Sequence, residues 1–409
     1  MSEKRTFSIE GHLLEAGLLT KLKEQVTRAG GVYEFIDFEV GKTPDQMSRG
    51  RLTVKIPEID DLNELTDRLV GLGAVWQVTS DVELEEAPSD GVVPDTFYST
   101  SNHVTEVRID GGWTTVADQR MDAMIVLDGA VARCVKLRDI RKGDRVVVEN
   151  HGIRVHPPAS EREQSDFGFM NSDISSERRV EHIIDELVAD IRSLKAEGKN
   201  VVLVSGPVVV HTGGVGALER LIAAGAFDAI LAGNALAVHD IERALYGTSL
   251  GINTDNGEPV VEGHRNHMRA INAISRSGSI PAAVKDGTLT RGIMHQAVQC
   301  GVPFVLAGSL RDDGPLPDTV TDMNEAQGAY GKLLKGAGAV VILSTMLHGI
   351  ATGNMIPSSV QTVCVDINPS VVTKLADRGS LQTAGIVTDV GLFVTMLADK
   401  YERAVAEGK

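Results

Sequence analysis

At 409 residues the chain can hold two or three domains, each burying its own core. With 42% hydrophobic and 23% charged residues it has the composition of an ordinary soluble protein, and a net charge of −16 argues against a nucleic-acid partner, which needs clustered Lys and Arg. Met1-Ser2-Glu3-Lys4-Arg5 leads into no apolar targeting core and no apolar run reaches membrane-spanning length, so the expectation is a cytoplasmic protein without a membrane partner.

Residues 5 to about 86 predict β-α-β-β-α-β, the ferredoxin-like α+β pattern. Thr6–Ile9 begins a strand, and Leu18, Leu19, Leu22 and Val26 give a helical stripe that stops at Gly30-Gly31. Val32 to Val40 alternates imperfectly, Arg51 to Pro57 alternates with period two, and Leu62, Leu65, Leu69 and Leu72 form a second helical face before Val75–Val78. From 87 to 160 the chain reads as a small β domain. Its strands, 104–109, 124–127, 131–135 and 145–149, are punctuated by Asp110-Gly111-Gly112, Asp128-Gly129 and Lys142-Gly143-Asp144. Ile153 to Phe169, with Pro157-Pro158, is the expected linker, and a helix is expected from Ser176.

Residues 161–409 predict an α/β domain. Short apolar runs end abruptly in small or polar residues: Val201–Val204 before Ser205-Gly206-Pro207, Ala229–Leu231 before Ala232-Gly233-Asn234-Ala235, Pro303–Leu306 before Ala307-Gly308-Ser309. Ala339–Leu343 runs into Ser344-Thr345-Met346, and Thr362–Val365 into Asp366-Ile367-Asn368. Such runs are strands buried on both faces of a parallel sheet, and ligands bind beyond their carboxyl ends. Cys134, Cys300 and Cys364 have neither disulfide nor zinc-knuckle spacing, and His264 with His267 lacks a third ligand, so no metal site is expected.

Two glycine-bearing turns compete as the cofactor cradle. Thr212-Gly213-Gly214-Val215-Gly216 opens a helix but departs from the dinucleotide fingerprint, with Glu219 at the third glycine position; Ser205-Gly206-Pro207 stands directly at a strand end. Asp366 suits an adenosine ribose hydroxyl or, alternatively, caps the helix at Pro369; Asp389 and the Gly391 backbone either face the same nucleotide or belong to another helix cap. Ser309 to Asp318 is the densest polar loop, and its Asp312 and Asp313 are the candidate catalytic carboxylates. His239 and His348 can shuttle protons near neutrality or simply end helices.

These stretches resemble the archaeal-type ornithine cyclodeaminases. The likeness is carried by Ser205-Gly206-Pro207-Val208-Val209-Val210-His211-Thr212-Gly213, by 233–242, by 307–318, by Thr345-Met346-Leu347-His348 and by 363–369. The chain is similar to the C-terminal half of cyanobacterial enzymes that turn arginine into proline through ornithine. Its N-terminal region resembles the domain named after lysine-oxoglutarate reductase and saccharopine dehydrogenase. The resemblance implies an NAD-binding fold like that of deoxyhypusine synthase and the sirtuins, which lacks the usual glycine fingerprint. It also implies conversion of L-ornithine to L-proline and ammonia, with NAD taking a hydride from Cα and returning it after ring closure.

On that reading Gly206, Pro207, Asn234, Ala235, Asp313, Thr345, Met346, Leu347, His348, Asp366, Asp389 and Val390 hold the cofactor. Asp312, Asp313 and His239 carry catalysis, and Arg108, Arg120 and Arg133 are candidate clamps for the substrate carboxylate, which would put ornithine between the β domain and the sheet. A homo-oligomer is expected. The competing readings are an NAD-dependent dehydrogenase for a lysine- or saccharopine-like substrate, and a non-catalytic module sensing NAD and an amino acid.

Overall fold

The computed structural model describes residues 3–11, 18–40, 48–56, 80–156, 176–253, 263–312, 314–376 and 383–407, with Val260 and scattered positions between 62 and 76. The chain forms two compact units, one of Met1–Ser172 with Asn354–Ser359, the other of Asp173–Gly353 with Val360–Lys409.

In the first unit β1 (Glu3–Gly11), β2 (Val32–Glu39), β3 (Ser48–Ile56) and β4 (Val75–Trp76) form an antiparallel sheet in the order β2-β3-β1-β4. This is the ferredoxin-like order expected from the pattern. The helix Leu18–Arg28 buries Leu22 and Val26 against Phe7, Ile9, Leu52 and Val54, so the period-3.6 stripe meets the period-2 face. β2 alternates poorly because it is an edge strand whose register slips between Phe35 and Asp37, leaving Val32 and Ile36 in solvent.

β5 (Glu83–Glu86), β6 (Val104–Ile109), β7 (Gly112–Thr115), β8 (Met124–Asp128), β9 (Val131–Val135), β10 (Arg145–Val148) and β11 (Ile153–His156) build two further sheets, β5-β10-β8-β9 and β11-β6-β7. Both contribute to one core, with Ile125, Leu127 and Val147 from the first and Val107, Ile153 and Val155 from the second. Positive φ at Asp110 and Gly111 makes the two-residue turn that joins β6 to β7. The stretch expected to be linker from Ile153 opens as β11, paired with β6, and its remainder lies outside the described residues. Asn354–Ser359, far along the chain, also belongs to this unit: Met121 N donates to Asn354 O at 3.3 Å and Ser358 N to Asn102 O at 2.8 Å.

The second unit is built on a parallel sheet of seven strands. They are β12 (Asn200–Ser205), β13 (Ala229–Gly233), β16 (Phe304–Ala307), β17 (Thr319–Val320), β18 (Ala337–Leu343), β19 (Gln361–Asp366) and β20 (Thr383–Val387), ordered β17-β16-β13-β12-β18-β19-β20. A two-stranded hairpin, β14 (Thr248–Ser249) with β15 (Ile252–Asn253), follows the helix Asn234–Tyr246. Val201 to Val204 and Val340 to Leu343 are completely buried, as continuous apolar strands between two helical layers must be. The chain winds outward from β12 through β13, β16 and β17, then returns to β18 on the other side of β12. The switch point therefore lies between β12 and β18, where an open crevice forms beyond the strand ends.

Candidate active site at the carboxyl ends of the parallel strands

The strand ends meet at the switch point with almost no space between backbones. Gly206 N donates to Leu343 O at 2.9 Å, and a Cβ on Gly206 would lie 2.3 Å from Ser344 O. Only glycine fits. Ser344 itself adopts φ +45, an unusual conformation for a residue with a Cβ, which turns the chain from β18 into the helix Met346–Met355. Thr345 is buried there, whereas Met346 and Leu347 of the first helical turn are exposed, Leu347 to 73%. Leu310, Ile367, Val387 and Leu392 are likewise exposed apolar side chains at or just after the ends of β16, β19 and β20. An apolar rim above close-packed backbone suits a flat, partly apolar ligand.

The rival glycine turn has structural work to do. Gly214 leaves room for the side chains of Val209 and Val394, Gly391 for Thr212 O, and Glu219 accepts from Gly292 N at 2.6 Å. Of the two cradles, Ser205-Gly206-Pro207 is the one facing the switch-point crevice.

Asp366, at the end of β19, is buried, and its Oδ1 accepts from Asn368 N at 2.8 Å. The helix Pro369–Ala376 is capped by Asn368, whose Oδ1 accepts from Ser370 N at 3.0 Å, so Asp366 is not needed for that job. Its Oδ2 has no partner among the described residues and remains able to accept a ribose hydroxyl. Asp389, by contrast, caps the helix Val390–Ala406 through Leu392 N at 2.8 Å, and Val390 is buried.

Above β13 and β16 the polar loop 309–318 is held by side chains on both flanks. Asn234, buried at the start of its helix, accepts from Leu316 N at 3.0 Å and from Thr319 Oγ1 at 2.8 Å; Ala235 follows, half-buried in the same turn. Asp318 accepts from Ile280 N at 2.7 Å and anchors the loop's far end. Asp312 Oδ2 accepts from Ser309 N at 2.8 Å, and its charge acts on the His348 imidazole. Asp313 lies outside the described residues. His348 packs over Gly233, and its Nδ1 is 3.2 Å from the hydroxyl of Tyr330. Burial holds the imidazole below its usual pKa, with Asp312 pulling the other way.

His239 belongs to a second group. Its Nδ1 is 3.3 Å from Glu242 Oε2, and its ring lies 5.1 Å from that of His211, which bonds to Ser249 Oγ at 2.8 Å. Glu242 is buried and also accepts from Thr248 Oγ1, Leu250 N and Gly251 N, fixing the hairpin β14–β15. No hydrogen bond, ring contact or ion pair joins this group to Asp312 and His348 among the described residues. The neighbouring Asp240 is structural. Fully buried, it accepts from Ile293 N at 2.9 Å and Met294 N at 2.8 Å, capping the helix Ile293–Gln299, and burial raises its pKa to about 7. Asp240→Ala should therefore destabilise the second unit by about 1–3 kcal/mol, read as a lower denaturant midpoint. An unchanged midpoint would remove the cap from the account.

The three arginines lie in the first unit. Arg108 on β6 is engaged with Asp81 at 3.7 Å, and Arg133 on β9 is exposed. Arg120 differs from both: its buried Nε has no hydrogen-bond partner among the described residues, and burial and then Arg138 lower its pKa. Lys136 is pushed down to about 8 by burial, Arg120 and Arg138. A partly buried group of cations that repel one another is the environment an incoming carboxylate relieves. Cys134 and Cys364 play no such part, for both are buried and burial pushes Cys364 up to about 12; Cys300 is exposed.

Sequence reasoning missed Tyr330, Ser344, His211, Glu242 and Lys136. Tyr330 lies inside the helix Met323–Leu334, 98 residues from the carbonyl it bonds, and carries no local signal.

Comparison with known proteins places this arrangement among relatives. Residues 185–397 match the model described as "Arginine dihydrolase ArgZ-like, C-terminal, Rossmann fold", residues 104–184 its first C-terminal region, and residues 4–103 the LOR/SDH bifunctional enzyme conserved region. The ornithine cyclodeaminase of Methanothermobacter thermautotrophicus is 45% identical over 402 residues, 98% of each chain. The apo structure of ArgZ, described as a cyanobacterial arginine dihydrolase, is similar with a TM-score of 0.87 and 40% identity, over 99% of this chain and 59% of that one. The ternary complex of AgrE with ornithine and NAD+ gives a TM-score of 0.55 and 43% identity, over 99% and 58%. The chain thus spans somewhat over half the length of the bifunctional cyanobacterial relatives, such as that of Nostoc, of which it covers 58%.

Proposed function

We infer the activity from a premise of descent: the chain belongs to the ornithine cyclodeaminases of the archaeal type, matched along nearly its whole length. It converts L-ornithine to L-proline and ammonia, with NAD as a recycled cofactor. The observation that carries the reading is 45% identity, end to end, to a protein of that name. The switch-point crevice supports the cofactor. Gly206 would let a phosphate approach the backbone, the exposed apolar rim would suit the rings, and Asp366, whose Oδ1 is engaged by Asn368 N, would offer Oδ2 to the adenosine ribose. When bound, NAD accepts the Cα hydride and gives it back after ring closure.

The chain's own residues orient and deprotonate. Asp366 holds the adenosine end at β19, and three strand spacings of ~4.8 Å, ~14 Å in all, lead from there to β13, where Asp312 and His348 stand. Among the three arginines of the first unit, Arg120, whose buried Nε has no hydrogen-bond partner among the described residues, is the proposed partner of the substrate carboxylate. Thr345, Met346 and Leu347 line the crevice. Assembly as a homo-oligomer and a place in proline formation in the cytoplasm belong to the same reading; the exposed apolar side chains of edge strand β2 support the first, and light scattering tests it.

Ornithine deuterated at Cα tests the activity. Proline should retain the label, because the hydride returns to the carbon it left. NADH accumulating in step with product would replace the reading with a dehydrogenase, and absence of ammonia from ornithine would leave a sensing module. Cofactor placement has its own test. Asp366→Ala should weaken NAD binding about 10- to 100-fold, the loss of a charge-assisted bond of about 1.5–3 kcal/mol. Calorimetry showing equal affinity in the variant would move the ribose elsewhere.

A further inference from the structure

We propose that Tyr330 locks the tautomer of His348, leaving His348 Nε2 as the base that takes a proton from the α-ammonium of the bound amino acid. The argument begins with the count of hydroxyl protons. A phenol has one, and Tyr330 OH lies 2.7 Å from Ala232 O, a carbonyl that can only accept. The tyrosine proton is therefore committed to Ala232. Its contact with His348 Nδ1 at 3.2 Å is a hydrogen bond only if Nδ1 carries the proton and donates. In a neutral imidazole that leaves the lone pair on Nε2.

The surroundings keep this arrangement in place. Tyr330 is buried, and burial pushes its pKa well above the ordinary phenol range, so it stays protonated. Among the described residues two titratable groups face the ring, Tyr330 and Asp312. Nε2 points at Gly233, where a Cβ would lie 2.7 Å from it, and it has no hydrogen-bond partner among the described residues. Any residue but glycine at 233 would cover the lone pair. The ring also stands by the first turns of the helices Asn234–Tyr246 and Met346–Met355, whose unpaired N–H groups disfavour a positive imidazole before substrate arrives.

Nε2 takes one N–H proton from the α-ammonium, giving a neutral amine whose lone pair assists loss of the Cα hydride. The imidazolium, facing Asp312, later returns that proton to the same nitrogen, which leaves as ammonia. The δ-ammonium loses its own proton to water before that nitrogen attacks Cα, and the new ring nitrogen loses another after attack; ammonia and proline take both back from water as they are released, so the step balances. His348 is then a catalytic residue, and Tyr330 a positioning residue acting through it. The identity of the amino acid rests on the ornithine reading; the tautomer does not.

The test is 15N–1H correlation spectroscopy of the full chain with 15N-labelled histidine, the His348 signals assigned by their loss in His348→Gln. The wild type should show the proton on Nδ1, and Tyr330→Phe should populate the Nε2–H form. In steady-state kinetics on ornithine, Tyr330→Phe should lower kcat about 10- to 100-fold with KM and NAD affinity unchanged. The acid limb of kcat should lie below the ordinary histidine range and move in the variant. A wild-type proton on Nε2 overturns the proposal even if proline is made. An Nδ1–H tautomer that disappears in Tyr330→Phe upholds the lock even if ornithine is not the substrate. If Tyr330→Phe does not fold, the wild-type spectrum alone decides the tautomer. Wild-type kcat in a folded variant with the altered tautomer overturns the role of Nε2 as base.

Discussion

Gly206→Ala should lower the unfolding free energy by about 1–3 kcal/mol and abolish most turnover of ornithine. The added Cβ would sit 2.3 Å from Ser344 O and 3.1 Å from the Cβ of Thr345. These are backbone and near-backbone atoms at the ends of two buried parallel strands, so neither side can swing away as a long side chain would. Relief requires β12 and β18 to part at their carboxyl ends, where the cofactor's phosphates are to lie. Gly216→Ala is the control, since nothing lies within 4 Å of its added Cβ and it stands in the helix Val215–Ala223. That change should be neutral or slightly stabilising. Equal stability and NAD affinity in Gly206→Ala would mean that the strand ends yield easily and that the crevice is not shaped by this contact.

Asp312→Asn should cut proline formation about 10²-fold or more, the usual cost of removing a charged group from proton transfer. The substitution retains an oxygen to accept from Ser309 N, so the loop keeps its turn while the charge facing His348 disappears. The sign of the accompanying pH effect follows directly. Asp312 raises the pKa of His348, which burial lowers; without the carboxylate the imidazole is harder still to protonate. The acid limb of the rate therefore moves to lower pH as the maximum falls. Wild-type rates in Asp312→Asn would leave the loop as scaffold and turn attention to Asp313 and to the His239–Glu242 pair.

Much of the second unit was legible because buried parallel strands announce themselves. Five of the strands, from Val201–Val204 to Thr362–Val365, are continuous apolar runs with polar punctuation. β17, two residues long and sheltered by the Pro315–Pro317 loop, and β20, with Thr383 and Gly385 in it, were not among the runs read. In the first unit the alternation of Arg51–Ile56 and the leucine spacing predicted the antiparallel sheet and its helices. Linker composition misled at Ile153–His156, where a charged but alternating segment pairs with β6. Local polarity does not reveal whether a neighbouring strand has an open edge. Asn354–Ser359 shows the same limit, since its bonds to Met121 and Asn102 join stretches more than two hundred residues apart.

By itself the sequence determined the fold class and the family, because each depends on local periodicity or on long polar matches. It also placed Gly206 and Asp366 correctly at the strand ends. Which candidates can act there was decided by tertiary structure. Asp389 is taken up with capping a helix, Asn234 and Asp318 with holding a loop, and Glu242 with a hairpin, while Asp366 keeps an oxygen without a partner among the described residues because Asn368 caps in its place. Tyr330 joins His348 only because β13 brings the Ala232 carbonyl between the helices that carry them. The physical reason is that a polar side chain's role depends on which partners remain unsatisfied nearby, and chain order does not contain that information.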